Sequence, residues 1–135
     1  HNIGIRDSFR GVGQSGEGVV EQIDGVVEFD GHIYLVEVKW WAEPLGVGDV
    51  SQHLVRVYHR SAARGILISQ SGYTDPAIST CRDALAKGVF VLTKLEELVL
   101  LLDREGSLVE LLREKVRAAV TERSPLFEPL RKPSG

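Results

Sequence analysis

Residues 22–41, QIDGVVEFDGHIYLVEVKWW, decide the fold of this chain. Two runs rich in Val, Ile and aromatic residues flank Asp30-Gly31, and a DG pair in that setting predicts a two-residue β-hairpin turn. Pairing outward from the turn places Asp24 opposite Glu37, and directly opposed residues share a face of the hairpin. Because side chains alternate along a strand, Lys39 joins the face of Glu37. Two carboxylates and one ammonium group are therefore expected to lie close together.

Asp24, Glu37 and Lys39 together could bind a divalent metal ion and a phosphate group. Opposed carboxylates repel one another, and a divalent cation between them removes that cost. Mg²⁺ prefers oxygen ligands, and we expect Mn²⁺ to substitute for it. An ammonium group beside such a metal can hold a phosphate oxygen or an attacking water. Asp24, Glu37 and Lys39 therefore favour metal-assisted hydrolysis of a phosphodiester, with the two carboxylates as metal ligands and all three residues as catalytic.

The alternative is that Asp24-Gly25 forms only a turn and that Glu37 and Lys39 form an ion pair on a solvated strand. The surrounding residues argue against it, since the strand is otherwise very apolar. Charged side chains in such a strand are costly unless they are paired or functional.

The rest of the chain alternates between helices and strands. After the hairpin we expect a helix over 49–63, a strand over 65–69, a helix over 74–88, a strand over 89–92, and two helices opened by capping boxes at 93–96 and 107–110. This order predicts one α/β domain over 1–123, with a mixed central β-sheet flanked by helices. The glycine-rich residues 1–18 are expected to be an irregular start or a truncated helix, and the proline-rich residues 124–135 an irregular tail.

Composition narrows the class of protein. The 135 residues include 16 Lys and Arg against 19 Asp and Glu, so a strongly basic nucleic-acid-binding coat is excluded. The single cysteine, Cys81, excludes a disulfide framework and a Cys-rich zinc site, and its helical spacing with Ile78 and Leu85 predicts a core position. No apolar run reaches the ~20 residues of a membrane span, and we expect a cytoplasmic protein without a membrane partner. The chain lacks methionine, which suggests a fragment of a longer protein.

The Asp…Glu-x-Lys pattern resembles the PD-(D/E)XK nuclease superfamily, and more narrowly its Mrr-like restriction endonuclease branch. The resemblance covers about Gly13 to Leu98 and rests on three segments, 21–25, 35–40 and 64–73. It implies a restriction-endonuclease-like core with extra C-terminal helices, a DNA substrate and a Mg²⁺ site at Asp24 and Glu37. Ile23 stands where the superfamily often has proline, at a position that varies freely.

The resemblance also implies further site residues. Relatives often carry a glutamine on the helix after the second hairpin strand, and Gln52 occupies that helix; a solvated glutamine is the alternative. The family usually has a helix before the first strand that supplies another acidic residue. That helix is absent or truncated here, so Glu21, or else Glu17, is the candidate for a third metal carboxylate, with a surface position as the alternative.

Basic residues and histidines complete the set of candidates. Arg56, Arg60 and Arg64 recur every four residues and predict a basic stripe along one helix face, which with Arg6 and Arg10 would contact DNA phosphates. A solvated or salt-bridged stripe is the alternative. His53 and His59 are six residues apart, a spacing that argues against a shared helical face.

The sequence thus predicts a Mg²⁺-dependent DNA endonuclease domain. Cleavage of both strands would need two sites, which is consistent with a homodimer, and further domains of the full-length protein would supply DNA affinity. Two alternatives stay open: a catalytically silent nuclease-fold module that binds DNA or protein, and a nuclease specific for DNA junctions or RNA.

Overall fold

The computed structural model describes residues 4–11, 22–60 and 63–130, and side chains from residue 25 onward within these ranges. The elements, in chain order, are β1 Gly4–Gly11, β2 Gln22–Phe29, β3 His32–Lys39, α1 Val47–Tyr58, β4 Arg64–Ser69, α2 Asp75–Ala84, β5 Phe90–Lys94, α3 Leu95–Asp103 and α4 Leu108–Glu122.

The five strands form one sheet in the order β1-β2-β3-β4-β5. β1, β2 and β3 pair antiparallel, whereas β3, β4 and β5 run parallel. The helices that follow β3 and β4 make the crossovers that parallel neighbours require. The predicted mixed α/β sheet flanked by helices is confirmed.

The β2–β3 hairpin has the register that the sequence predicts. Its Cα partners extend from Phe29 and His32 at the turn to Asp24 and Glu37. At the turn, Asp30 has φ 51° and Gly31 has φ 78°. Positive φ at both central residues is the type I′ geometry that matches strand twist, and it explains why a DG pair is suited to this position.

The sheet is packed on both faces. Leu35 and Leu67 pack with residues of α1 and α2, including the predicted core residue Cys81, which is buried. Tyr34, Val36 and other alternate side chains pack on the opposite face against α4. The alternation along β3 therefore turns Leu35, Glu37 and Lys39 toward α1.

The expectation of an irregular start or truncated helix over residues 1–18 is wrong for residues 4–11, which form β1. The register of β1 with β2 shifts between Ile5 and Asp7 and again between Asp7 and Arg10. Because of these shifts, the sequence of β1 shows no two-residue alternation of apolar and polar residues. Pairing with β2 therefore decides the conformation of β1. Residues 12–18 lie outside the described ranges.

The helix expected over 49–63 is shorter, because α1 ends at Tyr58. It also starts earlier, and Asp49 accepts a hydrogen bond from the backbone N–H of Gly46 (3.0 Å) from inside the first turn. A similar shift occurs at α3, where Glu97 accepts from the backbone N–H of Lys94 (2.8 Å) and Thr93 belongs to β5. Thr74, the first residue of the helix expected over 74–88, caps α2, and Ser107, the first residue of the expected capping box, caps α4.

The segment after α4 lies along β5. The backbone N–H of Leu92 donates to the carbonyl of Pro125 (2.8 Å), and Lys115 Nζ donates to the carbonyl of Phe127 (2.7 Å). Residues 124–130 thus satisfy part of an edge that would otherwise expose its hydrogen-bonding groups. Across the described ranges, each helix is too short or too polar to span a bilayer.

Candidate active site

Two charged residues of β3 are buried in the sheet face that α1 covers. Glu37 is 0% exposed and Lys39 is 2% exposed. Their Cα partners on β4 are Leu67 and Ser69, and the Cα partner of Glu37 on β2 is Asp24. Since burial of an unpaired charge is costly, the surroundings of Glu37 must compensate for it.

Three side-chain nitrogens surround the Glu37 carboxylate. His53 Nδ1 lies 3.0 Å from Oε1. Arg56 Nη1 lies 2.7 Å and Lys39 Nζ 3.3 Å from Oε2. The two contacts of Oε2 are close but lack hydrogen-bond geometry, so the directed bond to Glu37 is the one from His53.

These neighbours keep Glu37 ionised. Burial alone would raise the pKa of its carboxyl group, but the His53 hydrogen bond and the charges of His53, Arg56 and Lys39 lower that pKa from 4.5 to about 2. The site therefore offers a carboxylate, rather than a carboxylic acid, at neutral pH.

Lys39 ends β3 at the edge where the three parallel strands have their carboxyl ends. Ser69 and Lys94 occupy the matching positions of β4 and β5. The loop after β4 is tied to this edge, since the backbone N–H of Gln70 donates to the Lys39 carbonyl (3.0 Å). The Trp41 ring lies 4.7 Å from Lys39 Nζ. Ligands of open α/β sheets bind at this edge.

The predicted site residues fall into three groups. Glu37, Lys39 and Arg56 are brought together. The backbone of Asp24 lies opposite Glu37, whereas its side chain and the whole of Glu21 and Glu17 lie outside what is described. Gln52 is an exposed residue of α1 and is absent from the contacts of Glu37.

The prediction that Arg56, Arg60 and Arg64 form one basic stripe along a helix face is wrong. Because α1 ends before Arg60, the four-residue spacing does not correspond to one helix face. Arg60 is exposed, and Arg64 is the first residue of β4, where it donates to the Tyr34 hydroxyl (3.2 Å) at the opposite end of the strand from Ser69. Whether these residues contact DNA stays a prediction, and Arg6 and Arg10 lie on β1 with undescribed side chains.

His53 is the candidate whose contact with Glu37 sequence reasoning missed. A test of whether it pairs with His59 could not reveal it, because its partner is Glu37 on another element. The available signal was its helical spacing: His53 lies on the same face of the amphipathic helix as Val50, Leu54 and Val57. A histidine on the buried side needs a polar partner, and Glu37 is that partner.

The fit of this site to a divalent metal depends on Asp24. Among the side chains described, no group of three His, Cys, Asp or Glu could hold a metal ion. However, Glu37 is a buried ionised carboxylate whose Oε2 lacks a directed hydrogen bond, and Asp24 is its partner in register. Two carboxylates completed by water or phosphate oxygens are the kind of donor set that suits Mg²⁺, and Glu37 is the one of the two whose side chain is described.

The mixed sheet flanked by helices is that of a restriction-endonuclease-like core. The sequence model of the Mrr catalytic-domain family, described as a restriction endonuclease, matches residues 3–102. The chain belongs to this family. Comparisons with curated proteins and with solved structures found no significant match. The family match includes β1 to β5, α1, α2 and most of α3, whereas α4 follows it.

Proposed function

We propose that the chain is a Mg²⁺-dependent endonuclease domain that hydrolyses phosphodiester bonds of DNA, with Asp24 and Glu37 as metal ligands and Lys39 as the catalytic lysine. The observation that carries the proposal is the pair of buried charges, Glu37 and Lys39, at the carboxyl end of β3 with Asp24 in register. Family membership also supports a nuclease.

In this proposal each residue has one role. The carboxylates of Asp24 and Glu37 would hold the cation. A divalent metal bound there lowers the pKa of a water molecule and screens the phosphate charge. Lys39 stabilises the negative charge on the non-bridging oxygens while water oxygen bonds to phosphorus and the P–O bond to the leaving oxygen breaks. The leaving oxygen takes up a proton, which completes the hydrolysis.

Glu21 remains a candidate third ligand, and Gln52 a candidate catalytic residue at the exposed side of α1. Arg56, Arg60 and Arg64 remain candidates for phosphate contacts. Of these, Arg56 is best supported, because its side chain is partly exposed and lies beside Glu37 at the proposed site. The net charge of −3 favours low intrinsic affinity for DNA, consistent with a homodimer or with further domains.

Plasmid nicking tests the proposal. Supercoiled DNA is incubated with the chain in Mg²⁺, Mn²⁺ or EDTA, beside Asp24→Ala and Lys39→Ala. Nicking should need a metal, and Lys39→Ala should slow it by about 100-fold or more, since charge stabilisation is lost. Lys94→Ala is the matched control, because Lys94 ends β5 at the same edge of the sheet but pairs with Glu128 (3.4 Å).

Nicking that survives both site substitutions would contradict the proposed site. A second candidate, a silent nuclease-fold module, is favoured by one observation: nitrogens already contact both Glu37 oxygens. That candidate predicts neither nicking nor Mn²⁺ binding. Parallel assays with DNA junctions and RNA identify the substrate, because a structure-specific nuclease would cut those and spare the plasmid.

A further inference from the structure

His53 makes the one directed side-chain hydrogen bond to Glu37 among the described residues. The residue is 1% exposed, and its ring approaches β3 from α1. A carboxylate rotates through a broad two-fold torsional well, so close but undirected charges do not define its plane. The bond from Nδ1 to Oε1 does define it, and leaves Oε2 toward Lys39 and Arg56.

The Nε2 side of the His53 ring lies close to the backbone of β4 at Gly65. A Cβ atom at Gly65 would lie 2.8 Å from His53 Nε2 and 2.9 Å from Val57 Cγ2. Glycine at this position therefore lets the imidazole lie against the strand backbone. Nε2 has no hydrogen-bond partner among the described residues, so polar contact of the ring is concentrated at Nδ1.

We propose that His53 is a positioning residue, which holds Glu37 through Nδ1 in the orientation that metal binding requires. This inference rests on the proposed function, since it assigns Glu37 to the metal. Groups that hydrogen-bond a metal-ligating side chain tune its affinity, and their loss typically costs about 10–100-fold.

Two substitutions separate positioning from packing. His53→Asn keeps an amide N–H near the place of Nδ1 but removes ring volume. His53→Leu restores apolar volume and supplies no donor. If His53 only fills the core, Leu should be the milder change, because a smaller polar residue leaves a cavity and an unsatisfied group. If His53 positions Glu37, Asn should be the milder change for metal binding.

The experiment measures Mn²⁺ affinity of the intact chain by isothermal titration calorimetry, with thermal unfolding of the metal-free proteins alongside. We expect His53→Leu to weaken Mn²⁺ binding by about 10-fold or more, and His53→Asn by clearly less. The order of the two variants in thermal stability should be the reverse. Should His53→Leu fail to fold, His53→Gln replaces it, since glutamine places its amide nitrogen away from the Nδ1 position.

The outcomes distinguish the two proposals. Wild-type protein that binds no Mn²⁺ overturns the proposed function, and the positioning role with it. Wild-type protein that binds Mn²⁺, with His53→Leu or its replacement binding as tightly as His53→Asn, overturns the positioning role alone. A His53→Asn variant that binds Mn²⁺ more tightly than His53→Leu or its replacement supports the positioning role.

Discussion

Glu37 and Glu97 are both buried glutamates, yet their surroundings affect ionisation in opposite ways. Glu37 is 0% and Glu97 2% exposed. Three side-chain nitrogens reach Glu37, and the pKa of its carboxyl group falls to about 2. Burial raises the pKa of Glu97, although Lys115 and the backbone N–H of Lys94 act against it. Both carboxyl groups are buried, so the groups around each one decide which carboxylate is electrostatically stabilised.

The two clusters also differ in what they connect. Lys115 Nζ lies 2.7 Å from Glu97 Oε1 and donates to the Phe127 carbonyl, so this pair joins α3, α4 and the segment after α4. Burial lowers the pKa of Lys115 despite its partner. The pair is an internal connection, whereas Glu37 is contacted by the half-exposed Arg56 at the carboxyl end of a strand. Among the described residues, Lys39 and Arg56 give Glu37 two cationic side chains, whereas Glu97 has one, Lys115.

The largest expected effect on stability comes from removing one charge of the balanced pair. Lys115→Met leaves the Glu97 carboxylate buried without its cation, which should cost about 3–5 kcal/mol of unfolding free energy. The double variant Glu97→Leu with Lys115→Met should recover most of that loss, because neither charge is then buried. Urea unfolding followed by circular dichroism measures both. A double variant as unstable as the single one would show that Glu97 and Lys115 are not coupled.

Local patterns predicted the hairpin and the parts of the site that it contains. A two-residue turn and a two-residue alternation together define a register, so the Asp24–Glu37 pairing followed from residues 24–37 alone. The caps at Thr74 and Ser107 were equally local. These are the features for which short-range sequence and tertiary structure agree.

What could not be predicted depends on contacts between distant elements. β1 is a strand because it pairs with β2, and its register shifts conceal any alternation. His53 contacts Glu37 across 16 residues, and the space for its ring depends on Gly65. Arg64 continues a four-residue spacing in sequence but belongs to β4. Periodicity cannot distinguish a helix that continues from one that has ended.

The second largest effect is on the pH dependence of stability, which should have opposite signs for Glu37 and Glu97. The pKa of Glu37 is about 2 in the folded protein, whereas the usual value is 4.5. The stabilising contribution of Glu37 to folding is therefore present above about pH 4.5 and is lost as pH falls toward 2. The contribution amounts to about 3 kcal/mol at most. Glu97 has the opposite sign, because a raised pKa makes its contribution decline as pH rises.

Urea titrations of the wild type and of Glu37→Gln from pH 3 to pH 7 measure this difference. The wild type should lose stability relative to the variant as pH falls below about 4.5. Glu97→Gln serves as the control, and its curve should differ from that of the wild type in the other direction. Parallel curves for the wild type and Glu37→Gln would show that Glu37 is not electrostatically stabilised.

The smallest expected effect comes from a substitution next to His53, the hydrogen-bond partner of Glu37, and it does not involve Glu97. In Gly65→Ala, the new methyl group would lie within 3.0 Å of atoms of His53, Val57 and Phe90. Overpacking of this kind should cost about 1–3 kcal/mol, and the displaced imidazole should weaken the bond to Glu37. Gly48→Ala on α1 is the control, because nothing lies within 4 Å of its added Cβ. Thermal unfolding measures the cost, and Mn²⁺ titration should show weaker binding for Gly65→Ala alone. Equal Mn²⁺ affinity in both variants, with only Gly65→Ala destabilised, would mean that the ring moves without turning the carboxylate.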